Sequence, residues 1–163
     1  MEFHRDANIW LLDWYNLSFY ICILMEKFQL SVLFKIIGIG SASGLLYYND
    51  LLYVISDNST YLYEYNIHNE KLNKIPLVDY PHENIPKKDK PDFESISFLE
   101  NKLYILGSGS TKNRNKVVRY KPTSKIHSEK DFSIIFQDIK IQLEIKDEEL
   151  NIEGLIQQNN IMY

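Results

Sequence analysis

Two glutamates have the side-chain type and the sequence context to bind a hard cation. Glu94 lies in the segment KPDFES and Glu153 lies in NIEGL, and each immediately precedes a short apolar strand-like segment. Carboxylates that converge repel one another unless a cation lies between them, and Ca²⁺ prefers carboxylate oxygens as ligands. Asp92 and Asp57 are weaker candidates for the same site. The sequence therefore makes Glu94 and Glu153, with Asp92 and Asp57, candidate ligands for a hard cation such as Ca²⁺.

The same positions have a second explanation. A carboxylate in a tight loop before a strand can simply accept hydrogen bonds from backbone amides and bind no ligand. The first stretch of similar sequence has Ser43 where the later ones have Glu94 and Glu153, so the acid does not recur in every copy. Capping and metal binding both remain open at this point.

Other motifs point to no catalytic residue. The GSGS segment at 107–110 could cradle an anion with its backbone amides, but it lacks the spaced GK[ST] of a phosphate-binding loop, and a hairpin loop explains it equally well. No GxSxG element is present, and the lone Cys22 in its apolar run is typical of a buried, inert thiol. No two histidines have a metal-ligand spacing. They are His4, His68, His82 and His127.

The candidate ligands lie within a sequence that repeats. Three stretches share one pattern, at residues 43–66, 94–120 and 153–163, and their starts are 51 and then 59 residues apart. In each stretch a short strand is followed by a polar pair and a second strand. The pairs are Asn49-Asp50, Glu100-Asn101 and Asn159-Asn160. Because Asn and Asp tolerate a positive φ, these pairs predict tight hairpin turns.

Each repeat is long enough for four strands. Alternating apolar and polar residues predict a third strand at 61–67 and at 116–122, and a fourth is expected at Lys74–Val78 and at Phe132–Phe136. We also expect two equivalent pairs to face a shared core. These pairs are Leu52 with Leu103 and Val54 with Ile105.

Units of about 50 residues with four antiparallel strands are typical of β-propeller blades. The predicted fold class is therefore all-β and propeller-like, with about two blades and the start of a third. A closed propeller needs about four to eight blades, so the chain is expected to be an incomplete ring, either truncated or completed by other copies. A β-sandwich is the competing all-β class, but it would not normally repeat one strand–turn–strand pattern at this period.

A family resemblance rests on three segments, SASGLLYYNDLLYVISD, KPDFESISFLENKLYILGSGS and LNIEGLIQQNNIMY. They resemble an uncharacterised bacterial propeller family of unknown function and, more distantly, the phytase-like esterase propellers, in which a D-x-E-[GS] element opens the blades. The resemblance covers about residues 36–163. It implies a propeller of about six blades with a site at the channel mouth, and Asp92, Glu94 and Glu153 match its acidic positions.

Residues 1–24 match no repeat. Their apolar run carries Asp13 and Asn16 and is too short for a membrane-spanning helix, which needs about 20 apolar residues, and the opening residues do not fit a signal peptide. Residues 1–24 are either an amphipathic helix or strand that packs on the fold, or sequence upstream of a true start at Met25. We favour the second, which makes 1–24 an apolar extension and 25–163 a partial propeller domain.

The overall charge excludes some partners. The net charge is −4, and no basic patch predicts binding to nucleic acid or to an anionic membrane. The mixed-sign run at 87–90 predicts a solvated loop. One cysteine allows no intrachain disulfide, and the compartment, cytoplasm or periplasm, stays undecided.

Two functional hypotheses follow from the sequence. The favoured one is a non-enzymatic binding or scaffold module, with a cation at its channel and a small-molecule or protein partner that the sequence does not specify. The alternative is a fragment of a metal-assisted propeller hydrolase that acts on phosphoesters, esters or lactones, in which the metal polarises the substrate or activates water.

Overall fold

The computed structural model describes residues 31–32, 35–159 and 161–163. Nearly all of them belong to one compact unit, Ile36–Tyr163. The predicted extension at 1–24, the alternative start at Met25 and the apolar run around Cys22 lie outside the described residues.

Two four-stranded antiparallel sheets make up most of the fold, and in each the strands follow one another in chain order. Sheet 1 contains β1 (Ala42–Tyr48), β2 (Leu51–Ser56), β3 (Tyr61–Asn66) and β4 (Leu72–Pro76). Sheet 2 contains β5 (Phe93–Leu99), β6 (Lys102–Gly107), β7 (Lys116–Lys121) and β8 (Ile126–Asp131). A two-stranded hairpin follows, formed by β9 (Gln157–Gln158) and β10 (Ile161–Met162). The all-β class is confirmed; the described sheets do not close into a ring, and their arrangement as propeller blades stays a prediction.

The predicted repeat is visible in the strand bounds. β5 and β6 begin and end 51 residues after β1 and β2, and both first strands contain a β-bulge, centred on Ser43 in β1 and on Glu94 in β5. Both residues of the β1–β2 turn and of the β5–β6 turn have φ between 49° and 61°. Positive φ at both central positions is the type I′ hairpin geometry that the polar pairs predict.

The prediction of the fourth strand is only partly correct. β4 overlaps the predicted segment Lys74–Val78, but β8 ends at Asp131, and an α-helix, α1 (Ser133–Leu143), occupies the segment that was predicted to be a strand at Phe132–Phe136. Asp131 Oδ1 accepts a hydrogen bond from the Ser133 backbone N–H at 2.7 Å, a local bond that favours a turn over a continuing strand. No helix in the described part of the chain is long and apolar enough to cross a membrane.

A hydrophobic core joins the two sheets, but the pairing of faces differs from the prediction. Its buried members are Tyr53, Ile55, Leu62, Leu77, Phe93, Ile96, Leu103, Ile105, Val118 and Tyr120. Leu103 and Ile105 belong to it as expected, whereas their repeat equivalents Leu52 and Val54 are buried on the other face of β2. Successive side chains of a strand point to opposite faces, and two repeats stacked in the same orientation meet through non-equivalent faces.

Candidate functional site

The predicted ligands meet where the loop after β2 contacts the start of β5. Asp57 follows β2, Asp92 precedes β5, and Glu94 is the second residue of β5. The Asp92 backbone N–H donates to the Asp57 carbonyl oxygen at 3.0 Å, and Ser43 Oγ donates to the Phe93 carbonyl oxygen. These bonds join the two sheets and bring the acidic residues together.

The backbone at this point has unusual local geometry. Asp92 has a φ of 54°, and its repeat equivalent Ser41 has a φ of 48°, so the left-handed conformation belongs to the repeat, and Asp tolerates it better than most residues. Glu94 lies at the bulge of β5. A bulge re-aims the side chain that it carries, which accounts for the direction of Glu94 toward the loop.

Three of the four predicted ligands come together. Asp57, Asp92 and Glu94 each offer a carboxylate oxygen within 4.8 Å of the other two; we call this trio the carboxylate cluster. Glu153 is not a member of it: its side chain is exposed and accepts a hydrogen bond from Asn151 Nδ2. The Glu153 charge nevertheless reaches Glu94, because it contributes to the raised pKa of that residue.

Two basic side chains that the sequence did not single out partly neutralise the carboxylate cluster. Lys90 Nζ lies 2.5 Å from both Asp57 Oδ2 and Asp92 Oδ1, and Arg114 Nη1 lies 2.9 Å from Asp92 Oδ2. The Lys90 side chain is only 14% exposed. The prediction of a solvated loop at 87–90 is therefore wrong for Lys90, whose ammonium binds the cluster.

The GSGS loop supports Asp92 directly. Ser108 Oγ donates to Asp92 Oδ2 at 2.7 Å and lies 2.9 Å from Ser110 Oγ. Arg114 Nη1 donates to Ser110 Oγ at 3.0 Å. Asp92, only 5% exposed, thus accepts from Lys90, Arg114 and Ser108, which fixes its orientation.

Glu94 has an unusually high proton affinity for a carboxyl. Burial is the largest cause that raises its pKa, and the negative charges of Asp92, Glu153 and Asp57 raise it further. The Lys90 charge lowers it, and the resulting pKa is about 7. At neutral pH this side chain therefore exchanges between its neutral and charged forms.

The pKa values of Asp92 and Lys90 each shift in the direction that favours the charged side chain. Burial alone would raise the pKa of Asp92, but the hydrogen bonds from Lys90 and Ser108 and the charge of Arg114 outweigh it and lower that pKa. Burial alone would lower the pKa of Lys90, but its bonds to Asp57 and Asp92 raise it. Asp92 and Lys90 therefore keep their charges at neutral pH.

Two acceptor groups in the cluster remain open. Asp57 Oδ1 is buried and has no hydrogen-bond partner among the described residues. Within the same residues, no backbone amide donates to the Glu94 carboxylate, so the capping explanation finds no support at this position. Carboxylate oxygens that lack a donor and lie close to other carboxylates can bind a cation or a transferable proton.

A comparison with known protein families shows to which family the chain belongs. Residues 38–163 match a family of unknown function, DUF6929. The chain belongs to this family. The matched range contains both sheets, the terminal hairpin and every residue of the carboxylate cluster. This DUF6929 match confirms the resemblance to an uncharacterised family, while the propeller and phytase-like parts of that resemblance stay predictions. The chain matches none of the curated proteins.

Proposed function

We propose that this DUF6929 chain is part of a β-propeller that acts as a binding module and holds a Ca²⁺ ion at the carboxylate cluster. The observation that carries the proposal is the convergence of Asp57, Asp92 and Glu94, whose carboxylate oxygens lie within 4.8 Å of one another. Hard cations take such oxygen ligands. Glu153, the equivalent of Glu94 in the third repeat, would supply a fourth carboxylate.

The repeated link between units supports the propeller arrangement. The Asp57 carbonyl oxygen accepts from the Asp92 N–H at 3.0 Å, and the equivalent Ser108 carbonyl oxygen accepts from the Ile152 N–H at 2.9 Å, at the start of the third repeat. In both cases the carbonyl oxygen of the residue after the second strand accepts from the start of the next unit, although the donor lies one repeat position later at Ile152 than at Asp92. A propeller is a radial array of such sheets.

Lys90 competes with the proposed ion. Its ammonium lies between Asp57 and Asp92 and brings one positive charge, whereas Ca²⁺ brings two. Burial is the largest cause of the raised pKa of Glu94, but the charges of Asp92, Glu153 and Asp57 also raise it in spite of Lys90, so one ammonium does not cancel their effect. Calcium would take over the open oxygens of Asp57 and Glu94 and weaken the Lys90 contacts.

Calorimetric titration with CaCl₂ at pH 7.5 tests the calcium site. Glu94→Gln should abolish binding, while Lys90→Met should strengthen it, because the competing charge is gone and the side-chain length is kept. Glu148→Gln, at an exposed acid away from the cluster, serves as the matched control. Equal heats for all four proteins would reject the calcium site.

A second function is favoured by one observation, the pKa of about 7 at Glu94. A carboxylate tuned to neutrality suits general-base catalysis, so Glu94 could take a proton from water in a hydrolase acting on phosphoesters, esters or lactones. The test is turnover of p-nitrophenyl phosphate, p-nitrophenyl acetate and a γ-lactone by the wild type, compared with Glu94→Gln. Wild-type rates equal to those of buffer would reject this second function.

A further inference from the structure

A basic pocket lies at the end of sheet 2 opposite the carboxylate cluster. It has a volume of about 360 Å³ and is lined by Lys102, Arg119 and Lys121 together with the hydroxyl residues Ser124 and Ser128. These residues come from the start of β6, the second half of β7, the β7–β8 turn and β8 itself. The pocket shares no residue with the carboxylate cluster.

Strand register places the three cations on one face. Arg119 and Lys121 are alternate residues of β7 and therefore point the same way. Arg119 pairs with Ser128 of β8. Leu103 pairs with Tyr120, so Lys102 lies beside Lys121 when the register is extended by one residue. The basic character of the pocket is thus built into the sheet.

The three cations have no acidic partners. None of them forms an ion pair with a carboxylate of the described residues, and no Asp or Glu is among the described residues that line the pocket. Five other basic side chains do form such pairs. They are Lys74, Lys90, Arg114, Lys116 and Lys140. In a chain with a net charge of −4, this unpaired group leaves a mutual repulsion that an anion would relieve.

The Arg119 guanidinium has donors to spare. One Nη donates to Ser128 Oγ at 3.1 Å, and Nε is buried without a hydrogen-bond partner among the described residues. A buried donor without a partner destabilises the folded state. Because Nε has no surface exposed to the pocket, an oxyanion there would accept from the two Nη groups, which form the fork at the outer edge of the planar guanidinium.

We propose that this pocket binds the phosphate group of a phosphate monoester. Two phosphate oxygens accept from the Arg119 fork, Lys102 and Lys121 neutralise the remaining charge, and the hydroxyls of Ser124 and Ser128 donate to the third oxygen. Three cations match the dianion of a phosphate monoester better than the single charge of a carboxylate. The site is independent of the proposed calcium site, and either can fail without the other.

Titration of the full chain with inorganic phosphate tests the proposal. Binding is measured by ³¹P line broadening and by calorimetry, at an ionic strength held constant with NaCl. The wild type should bind phosphate saturably, and Arg119→Gln should lose at least about tenfold in phosphate affinity. Arg119→Lys, which keeps the charge and loses the fork, should fall between them. Lys88→Gln, at an exposed lysine outside the pocket, should match the wild type.

Three results would overturn the proposal. One is the absence of saturable phosphate binding by the wild type. Another is equal affinity for phosphate in the Arg119→Lys and Lys88→Gln variants, each shown to be folded by its circular dichroism melt. The last is displacement of phosphate by an equal concentration of acetate, which would assign the pocket to carboxylates.

Discussion

The junction of sheet 1 with sheet 2 and the junction of sheet 2 with the terminal hairpin share a backbone link but differ in their side chains. The Asp57 carbonyl oxygen accepts from Asp92 at the first, and the Ser108 carbonyl oxygen accepts from Ile152 at the second. The residue at the second junction that is equivalent to Asp92, 59 residues later in the chain, is Asn151. The repeat therefore sets the acceptor of the link, the donor lies one repeat position later at the second junction, and a few substitutions concentrate charge at the first.

The same comparison separates a capping carboxylate from a candidate ligand. The 59-residue spacing puts Glu149 at the second junction where the first has Lys90. Glu149 accepts from the Lys146 backbone N–H at 2.7 Å and so caps the 3₁₀ turn Asp147–Glu149. Glu94 has no such bond among the described residues, which leaves it free to bind a cation or a proton.

Asp92→Asn should show the largest difference between the junctions. It leaves Lys90 and Arg114 without their shared carboxylate in a mostly buried place, and we expect the free energy of unfolding to fall by about 3 kcal/mol. Asn keeps the side-chain size and tolerates the positive φ. Asn151→Ala at the exposed second junction should change it by less than about 0.5 kcal/mol. Urea unfolding measures both, and equal losses would contradict the special role of the first junction.

Gly107→Ala should have the next largest effect. A Cβ at this position would collide with the Arg114 carbonyl oxygen and lie 2.9 Å from the Pro91 carbonyl oxygen, a close approach that should destabilise the fold by about 2 kcal/mol. The equivalent residue of sheet 1 is Ser56, whose Oγ donates to a backbone carbonyl at 2.8 Å. Gly154→Ala is the control, since its Cβ would meet nothing within 4 Å. Similar thermal melts for the two variants would refute the steric explanation.

Glu94→Gln should change the pH dependence of stability. The pKa of Glu94 is about 7 in the folded state against a model value of 4.5, so the unfolded chain loses this proton first as the pH rises. The stabilisation that comes from the stronger proton binding of Glu94 in the folded state is therefore complete below about pH 4.5 and is lost progressively as the pH rises to about 7. After allowance for solvent screening, the variant should be about 1–2 kcal/mol more stable than the wild type at pH 8 and equal to it at pH 4.

Urea unfolding in EDTA at several pH values measures that difference without interference from metal ions. Glu148→Gln is again the matched control, and it should follow the wild type at every pH. Parallel pH profiles for the wild type and Glu94→Gln would show that Glu94 titrates as an ordinary surface carboxyl.

Glu153→Gln should have the smallest effect. Its exposed charge is one of the causes that raise the pKa of Glu94, and solvent and salt screen it. We expect the pKa of Glu94 to fall by less than about one unit, as followed by NMR in low salt, and the shift should shrink in 0.5 M NaCl. A rise in that pKa would contradict the proximity of the two carboxyls.

Much of the fold could be predicted from the repeat. The pairs Asn49-Asp50 and Glu100-Asn101 specify type I′ turns through their tolerance of positive φ, so the first two strands of each sheet were placed well. The run Ile134–Phe136 could not be assigned, because a short apolar run suits a buried strand or a helix equally. In the helix, Ile134 is 79% exposed and Phe136 is buried.

The carboxylate cluster was predictable only in part. The repeat was enough to bring Asp92 and Glu94 to the start of β5, and Asp57 to the loop after β2. Lys90 and Arg114 could not be assigned to it, because their pairing with Asp92 depends on how two loops fold against each other. A basic residue two positions before Asp92 is the signal that could have pointed to Lys90.

The most direct measurement is the NMR titration of the Glu94 side-chain carboxyl carbon, assigned by its absence in Glu94→Gln, without and with saturating CaCl₂. The carboxylate cluster and the calcium site together predict a pKa of about 7 in EDTA and a clear decrease when Ca²⁺ binds the ionised form. A pKa near 4.5 in EDTA would contradict the electrostatics of the cluster, and a pKa of about 7 that calcium does not move would contradict the calcium site.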